Sequence, residues 1–243
     1  GCKNARGTLP DPVQVKSDVG VVIVAGGNGS RTSGSELKQF RWVAGKPMLL
    51  HSVQTFQQRD DVAMVVVVLP FEHVGDPPPW LFQCDTERLL LSVGGRERSD
   101  SVRNGLEDLP DDLAIVAVHD AARPLVTSAM IDRVVREARK GNAAVPGLSI
   151  VDTLKRADDD NQVSETIDRH GVFRIQTPQA FPRRMLENAH ERARAEGLTA
   201  TDDAALCERL GERVVIVKGS ERAMKITTEE DFARADALSI LPE

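Results

Sequence analysis

Several short stretches of the chain set cations, glycines and carboxylates at spacings suited to phosphate chemistry. The first is Ala25-Gly26-Gly27-Asn28-Gly29-Ser30-Arg31, with Lys38 seven residues beyond the arginine. Glycines let a ligand approach the backbone closely and let N–H groups turn toward an anion, while Arg31 and Lys38 supply fixed positive charge. The spacing matches neither GxxxxGK[ST] nor GxGxxG, because Thr32 stands where a third glycine belongs. A solvated glycine turn stays open as the alternative for this segment. In Gly94-Gly95-Arg96-Glu97-Arg98-Ser99-Asp100-Ser101-Val102, a glycine pair leads into serines at an expected helix start. The free N–H groups and dipole of such a start favour a negative or hydrogen-bonding group, although an ordinary capped helix uses the same residues. His119-Asp120-Ala121-Ala122-Arg123-Pro124 closes an apolar run with a carboxylate and a guanidinium. At the carboxyl end of a sheet strand Asp120 can meet a metal or hydroxyl group and Arg123 a phosphate; the competing account is an Asp–Arg pair bracing a turn. His119 reads as a structural histidine. Asp152-Thr153, Asp168-Arg169, Thr177-Pro178-Gln179, Thr201-Asp202-Asp203 and Lys225-Ile226-Thr227 each have a local account as turn, cap or solvated charge. Thr201 in particular would cap a helix beginning at Asp202.

The elements that must hold these residues follow from the hydrophobic pattern. Apolar Val-rich runs at Val19 to Ala25, Ala63 to Leu69 and Ala114 to His119 read as strands buried on both faces, as in a parallel sheet covered by helices. Helices are predicted at Pro47 to Gln57, Ser99 to Leu109, Ser128 to Lys140, Pro182 to Glu196, Asp202 to Leu210 and Thr228 to Leu238. Pro47 and Pro182 suit a first helical turn, where a missing N–H costs nothing. The alternation is βαβ logic and gives an α/β fold. Phe71 to Phe82, with Asp76-Pro77-Pro78-Pro79, reads as a surface loop. From Asp152 onward the helical period disappears. Thr153 to Arg156 and Val163 to Ile167 flank the Asp158-Asp159-Asp160-Asn161 turn signal, so a hairpin leaves the sheet there.

Length and composition bound the reading further. A chain of 243 residues is within reach of one α/β domain, here 19–241, preceded by residues 1–18 whose polar mix predicts a flexible tail. The longest apolar runs are too short to cross a bilayer, so neither membrane insertion nor export is expected. Cys2, Cys84 and Cys207 are widely spaced and contain no CxxC, which favours a reducing, cytoplasmic setting. The formal net charge of −6 argues against a general nucleic-acid binder while leaving room for a local basic pocket.

In order and in register, these segments resemble 2-C-methyl-D-erythritol 4-phosphate cytidylyltransferases of the non-mevalonate isoprenoid pathway, over about Val19 to Ala237. The resemblance rests on Ala25-Gly26-Gly27-x-Gly29-x-Arg31 with Lys38-Gln39-Phe40, Gly94-Gly95-x-x-Arg98-x-x-Ser101-Val102, His119 to Pro124, Asp152-Thr153-x-Lys155 and Arg169. Gln176-Thr177-Pro178-Gln179-x-Phe181, Thr201-Asp202-Asp203 and Lys225-Ile226-Thr227 complete it. It implies a doubly wound, Rossmann-like nucleotidyltransferase domain with a mostly parallel sheet and a projecting β-arm, about 152–174, through which two subunits form a homodimer. It implies CTP and a polyol phosphate as substrates, with Mg²⁺ held mainly through the CTP phosphates and no protein metal ligand assigned.

The resemblance also implies residue roles. Ala25, Gly26, Gly27 and Gly29 line the triphosphate and base pocket, and Arg31, Lys38 and Lys225 stabilise the pentacoordinate α-phosphorus. Gly95 and Ser101 read cytosine, and Asp120 serves the ribose or Mg²⁺ region. Arg123, Thr153, Arg169, Thr177 and Thr201 take the acceptor phosphate. The chain departs from the family pattern at Leu37, where a proline is usual, at Thr32, where a methionine is common, and at Arg96, which is acidic in some relatives. A ribitol 5-phosphate cytidylyltransferase and a nucleotide-binding module without catalysis are the alternatives. A dinucleotide-binding dehydrogenase is disfavoured by the failed GxGxxG.

Overall fold

A computed structural model describes residues 15–27 and 36–242. Asn28, Gly29, Ser30, Arg31 and Thr32 therefore lie outside the described residues, as do residues 1–14 of the expected tail. Asp18, at which that expected tail ends, is buried and accepts a 3.0 Å hydrogen bond from Arg139.

The described residues include first strand β1 (Val19–Val24), then a short hairpin β2 (Trp42–Val43) and β3 (Lys46–Pro47), and helix α1 (Met48–Gln57). There follow β4 (Val62–Leu69), α2 (Phe71–Val74), β5 (Leu89–Val93), α3 (Arg98–Asp108), β6 (Ile115–Asp120), α4 (Ser128–Arg139) and β7 (Ala143–Ser149). The remainder comprises β8 (Leu154–Ala157), β9 (Val163–Ile167), β10 (Phe173–Ile175), β11 (Gln179–Pro182), α5 (Arg183–Glu196), α6 (Asp203–Arg209), β12 (Val214–Lys218) and α7 (Glu229–Ser239).

Eight strands form one sheet in the order β10-β7-β11-β6-β1-β4-β5, with β12 also on β7. The strands β6, β1, β4 and β5 run parallel, while β10 and β11 are antiparallel to their neighbours. Successive strand side chains point to opposite faces, and both faces are covered. Val19, Val21 and Ile23 of β1 pack with Leu49, Val53 and Phe56 of α1 and Met130 and Val134 of α4. Val22 of the same strand packs with Val102 and Leu106 of α3, Leu186 of α5 and Leu206 of α6. This two-sided cover is why the Val-rich runs lack a polar alternate position.

The hairpin β8–β9 stands apart as its own two-stranded sheet, pairing Leu154 with Ile167 and Arg156 with Glu165. The two hairpin strands stand within a residue of the expected bounds, and after them β10 and β11 return the chain to the main sheet. Several local expectations are corrected. Pro47 and Pro182 are N-caps rather than first-turn residues. Asp202, not Thr201, caps α6, its carboxylate accepting from the Ala205 N–H at 2.9 Å. The two oxygens of an Asp offer a cap that the exposed threonine one residue earlier does not reach. The Phe71 to Phe82 stretch contains two short helical turns and the fully buried Leu81, so it is packed rather than a simple loop.

Candidate active site

Parallel strands bring their carboxyl ends to one edge, and that edge collects the motifs. Val24 of β1 is in register with Asp120 of β6 and with Val68 of β4. The ladder continues beyond the strands: Ala25 N–H donates to Val68 O at 2.9 Å, Ala121 N–H to Val24 O at 3.1 Å and Gly94 N–H to Leu69 O at 2.7 Å. The loops after β1, β5 and β6 therefore leave the sheet side by side. Where the first two meet, a Cβ on Gly26 would lie 3.1 Å from the Gly94 Cα and 3.2 Å from the Ser101 hydroxyl, closer than backbone readily tolerates. Glycine at both positions lets the loops touch.

A cavity of about 300 Å³ opens over this edge. Ala25, Gly26, Gly27, Lys38, Gly95, Ser101, Asp120 and Lys225 line it, so eight residues predicted from sequence meet there. Its charged lining carries Lys38, Arg96, Arg98 and Lys225 against Glu97 and Asp120, an excess of cations in a chain whose net charge is negative. Burial lowers the Lys38 pKa, and the like charge of Lys225 lowers it further, against the pull of Asp231 and Asp120. Two ammonium groups held together in a half-buried place are a favourable arrangement only for an anion.

Asp120 is the opposing centre. Its Oδ1 accepts from Arg98 at 3.1 Å, and its Oδ2 lies 3.6 Å from Arg123 and 3.9 Å from Lys225. Burial alone would raise its pKa, but Arg98, Lys225 and Arg123 outweigh that effect and hold the carboxyl below its ordinary value. Behind it, Thr177 accepts the Asp120 N–H at 3.0 Å and pairs with His119 Nδ1 at 2.9 Å. The other His119 nitrogen meets Arg123 O at 3.0 Å. His119 is fully buried, and burial pushes its pKa down to about 4, so it is a neutral structural ring, as the sequence indicates.

Gly29 and Arg31 lie outside the described residues, and the other predicted residues are not in the lining of this cavity. Thr177 is buried behind Asp120, and Arg123 lies beside it with its guanidinium on Ala223 O at 2.7 Å. Thr201 is exposed, and Thr153 and Arg169 are exposed beside and beyond the hairpin strands. Two contributors carry no role in the sequence reading although their motifs are quoted there. Gln39, buried, donates to Ala25 O at 2.8 Å and pins the glycine loop. Arg98 bridges Asp120 to Asp203 at 3.0 Å, and Asp203 in turn meets His190 at 2.8 Å. A charged residue at the first position of a helix signals solvent, which is why Arg98 hides from pattern reading. Its fixed place in Gly-Gly-x-x-Arg was the available clue.

Among the described residues no group of three His, Cys, Asp or Glu side chains is arranged to hold a metal ion. A divalent ion that takes most of its ligands from phosphate needs only one or two carboxylates, and Asp120 in the cavity wall meets that requirement.

Comparison with known proteins gives a consistent picture. The family described as IspD, 2-C-methyl-D-erythritol 4-phosphate cytidylyltransferase, matches residues 19–240. A relative of that name from Salinibacter ruber is 43% identical over 219 residues, covering 89% of this chain and 91% of its own. A chloroplastic relative from Oryza sativa subsp. japonica is 36% identical, covering 96% of this chain and 78% of its own. The crystal structure of the Thermus thermophilus enzyme of that name superposes with a TM-score of 0.78 at 35% identity, covering 92% of this chain and all of that one.

Proposed function

The chain belongs to the 2-C-methyl-D-erythritol 4-phosphate cytidylyltransferase family, and on that premise we propose how it transfers CMP from CTP to 2-C-methyl-D-erythritol 4-phosphate with release of pyrophosphate. A phosphate oxygen of the acceptor attacks the α-phosphorus of CTP in line. That oxygen is already nucleophilic near neutral pH, so no general base is required and catalysis reduces to positioning and charge stabilisation. One pair of unit charges 4 Å apart costs about 4 kcal/mol at an effective dielectric near 20, so bringing two anionic substrates together calls for several cations. The observation that carries the reading is the convergence of Lys38 and Lys225 with the glycine loops on one cavity.

In this reading Ala25, Gly26, Gly27 and Gly29 cradle the nucleotide, and Arg31, Lys38 and Lys225 stabilise the charge that builds on the α-phosphorus. Gly95 and Ser101 read the base: the Ser101 oxygen accepts the Gly95 N–H at 3.1 Å, which leaves its own hydrogen to donate. Asp120 takes the ribose or Mg²⁺; the ion, when bound, neutralises phosphate charge. Arg123 supports the acceptor phosphate, and Thr177 acts by holding the end of β6, because its hydroxyl is committed to Asp120 and His119. Thr153 and Arg169 serve the site of a second subunit, which gives the exposed arm its purpose and makes the working unit a homodimer. Thr201 completes the acceptor pocket. The main domain spans 19–241 with the arm at about 152–174. No helix among the described residues is long and apolar enough to cross a membrane. Cys84 and Cys207 are unpaired thiols, which supports a reducing, cytoplasmic setting.

The test is pyrophosphate release from CTP and Mg²⁺ with each of two acceptors. Turnover with 2-C-methyl-D-erythritol 4-phosphate well above that with ribitol 5-phosphate is expected. A preference for ribitol 5-phosphate, or CTP binding without turnover on either acceptor, refutes the assignment.

A further inference from the structure

Lys38 and Lys225 come from chain segments far apart in sequence, and neither lies on a sheet strand. Something must fix their relative position, and the cavity itself does not: each is a flexible ammonium, Lys38 opening a short 3₁₀ turn and Lys225 on a loop. Three residues after Lys38 stands Arg41, outside the cavity lining. Its backbone N–H donates to Lys38 O at 3.1 Å, and its own O accepts from Met48 N–H at 2.8 Å, which joins the lysine turn to the start of α1. Its guanidinium reaches α7, the helix that begins four residues after Lys225. There it engages both carboxylate oxygens of Glu229, one at 3.0 Å, and lies 4.0 Å over the Phe232 ring.

The other end of this connection is equally tied. Ile226, next to Lys225, is fully buried, and its N–H donates to Ala122 O at 2.8 Å, two residues beyond Asp120. Ile226 and Phe232 pack with Val43 and Met48 in a small core separate from those flanking the sheet. The β2–β3 hairpin is held to the same helix by Ala44 N–H on Asp236 at 2.7 Å. A bidentate, stacked arginine is the most directional member of this group, since its planar fork fixes two bonds and one face at once.

We infer that Arg41 is a positioning residue, which through Glu229 and Phe232 sets the separation between Lys38 and Lys225 at the reacting phosphorus. The inference rests on the catalytic reading of those two lysines. If a transition-state geometry is what Arg41 maintains, its loss lowers kcat and kcat/KM together and leaves KM for CTP nearly unchanged.

The experiment compares the full chain with Arg41→Ala, Arg41→Lys, Glu229→Gln and the double variant Arg41→Ala/Glu229→Gln, each assayed well below its melting temperature. Arg192→Ala, which removes an exposed pair with Glu196 on α5, is the control and retains parental turnover. Arg41→Ala is expected to lose about tenfold in kcat with KM for CTP within about twofold, and Arg41→Lys to recover part of the loss. Glu229→Gln is expected to fall in the same direction, and the double variant to be no worse than Arg41→Ala alone, as partners in one contact behave. An active parent whose Arg41→Ala variant keeps its kcat, or changes only KM, overturns the inference. An inactive parent is a different result: it removes the catalytic reading itself.

Discussion

An ammonium pair such as Lys38 and Lys225 is a liability to an empty fold and an asset to one holding a triphosphate. Burial and mutual repulsion both act against the protonated form of Lys38, so the folded chain carries a strain that an anion relieves. Lys38→Ala and Lys225→Ala are therefore expected to lower kcat about 10²- to 10³-fold, the usual scale for one lost charge-stabilising donor. The melting temperature of Lys38→Ala should be no lower than the parent's, because a partly buried charge facing a like one is gone, whereas Lys225→Ala also takes a cation from beside Asp120. Undiminished turnover in either variant would take that lysine out of the chemistry. His119 gives a pH prediction of separate origin. Its folded pKa of about 4 lies below the ordinary value of 6.5, so the neutral ring is what the fold stabilises. Stability is complete above pH 6.5 and declines as pH falls toward 4, because the unfolded chain takes up a proton that the buried ring refuses. The amount is about 3 kcal/mol. Asp120 and Asp203, whose pKa values are lowered, add their own loss only at still lower pH. Denaturant unfolding between pH 7 and 4 should show this slope in the parent and a flatter one in His119→Gln; a flat parental curve rejects the account.

The helix α3 shows how an element delivers site residues. Its first residue is Arg98, the loop before it holds Gly95, and its inner face carries Ser101. It lies close on the sheet at Gly105, where a Cβ would stand 2.6 Å from a Val22 methyl and 3.0 Å from one of Val68. Gly105→Ala should therefore destabilise by about 1–3 kcal/mol despite alanine's better helix propensity, read as a shift in the denaturant midpoint. A neutral or stabilised Gly105→Ala would mean that α3 has room to move. That close seating also marks the limit of reading such a chain by pattern. The doubly covered strands β1, β4 and β6 were visible because burial on both faces makes a run continuously apolar. The strands β5 and β12 are half exposed along their length, and β7 contains Pro146 and Gly147, so none of the three offers that signal. For the site, loops carrying glycine and lysine were legible because those residues have few other uses in combination. Arg98, Gln39, Asp203 and His190 were not, since each acts through partners distant in sequence and its type alone suggests either solvent or packing. Thr177 was legible as a motif while its partners were not: what the hydroxyl touches is decided by β11 lying antiparallel on β6.

At the scale of the whole molecule, the arm is the feature that a single chain does not explain. Among the described residues the hairpin β8–β9 pairs only with itself, and residues from Val151 to Thr166 are mostly exposed, with Val151 and Val163 among the exposed large apolar side chains. Thr153 and Arg169 lie at this arm and do not line the cavity of their own chain. If they complete the acceptor site of a second subunit, damage to the arm and damage to the cavity are separable between chains. Arg169→Ala chains and Lys225→Ala chains are each expected to be nearly inactive alone. Mixed and allowed to exchange subunits, half of the dimers become hybrids in which one of two sites has both an intact cavity and an intact arm, so about a quarter of parental activity returns. An arm that served its own chain would leave every hybrid site with one defect, and the mixture would show no more than the average of the two variants. Recovery that depends on subunit exchange, absent when the two proteins are mixed without time or dilution to exchange, is the signature to look for. Its absence in a protein that runs as a stable dimer by light scattering would assign Arg169 to its own chain or to no site at all.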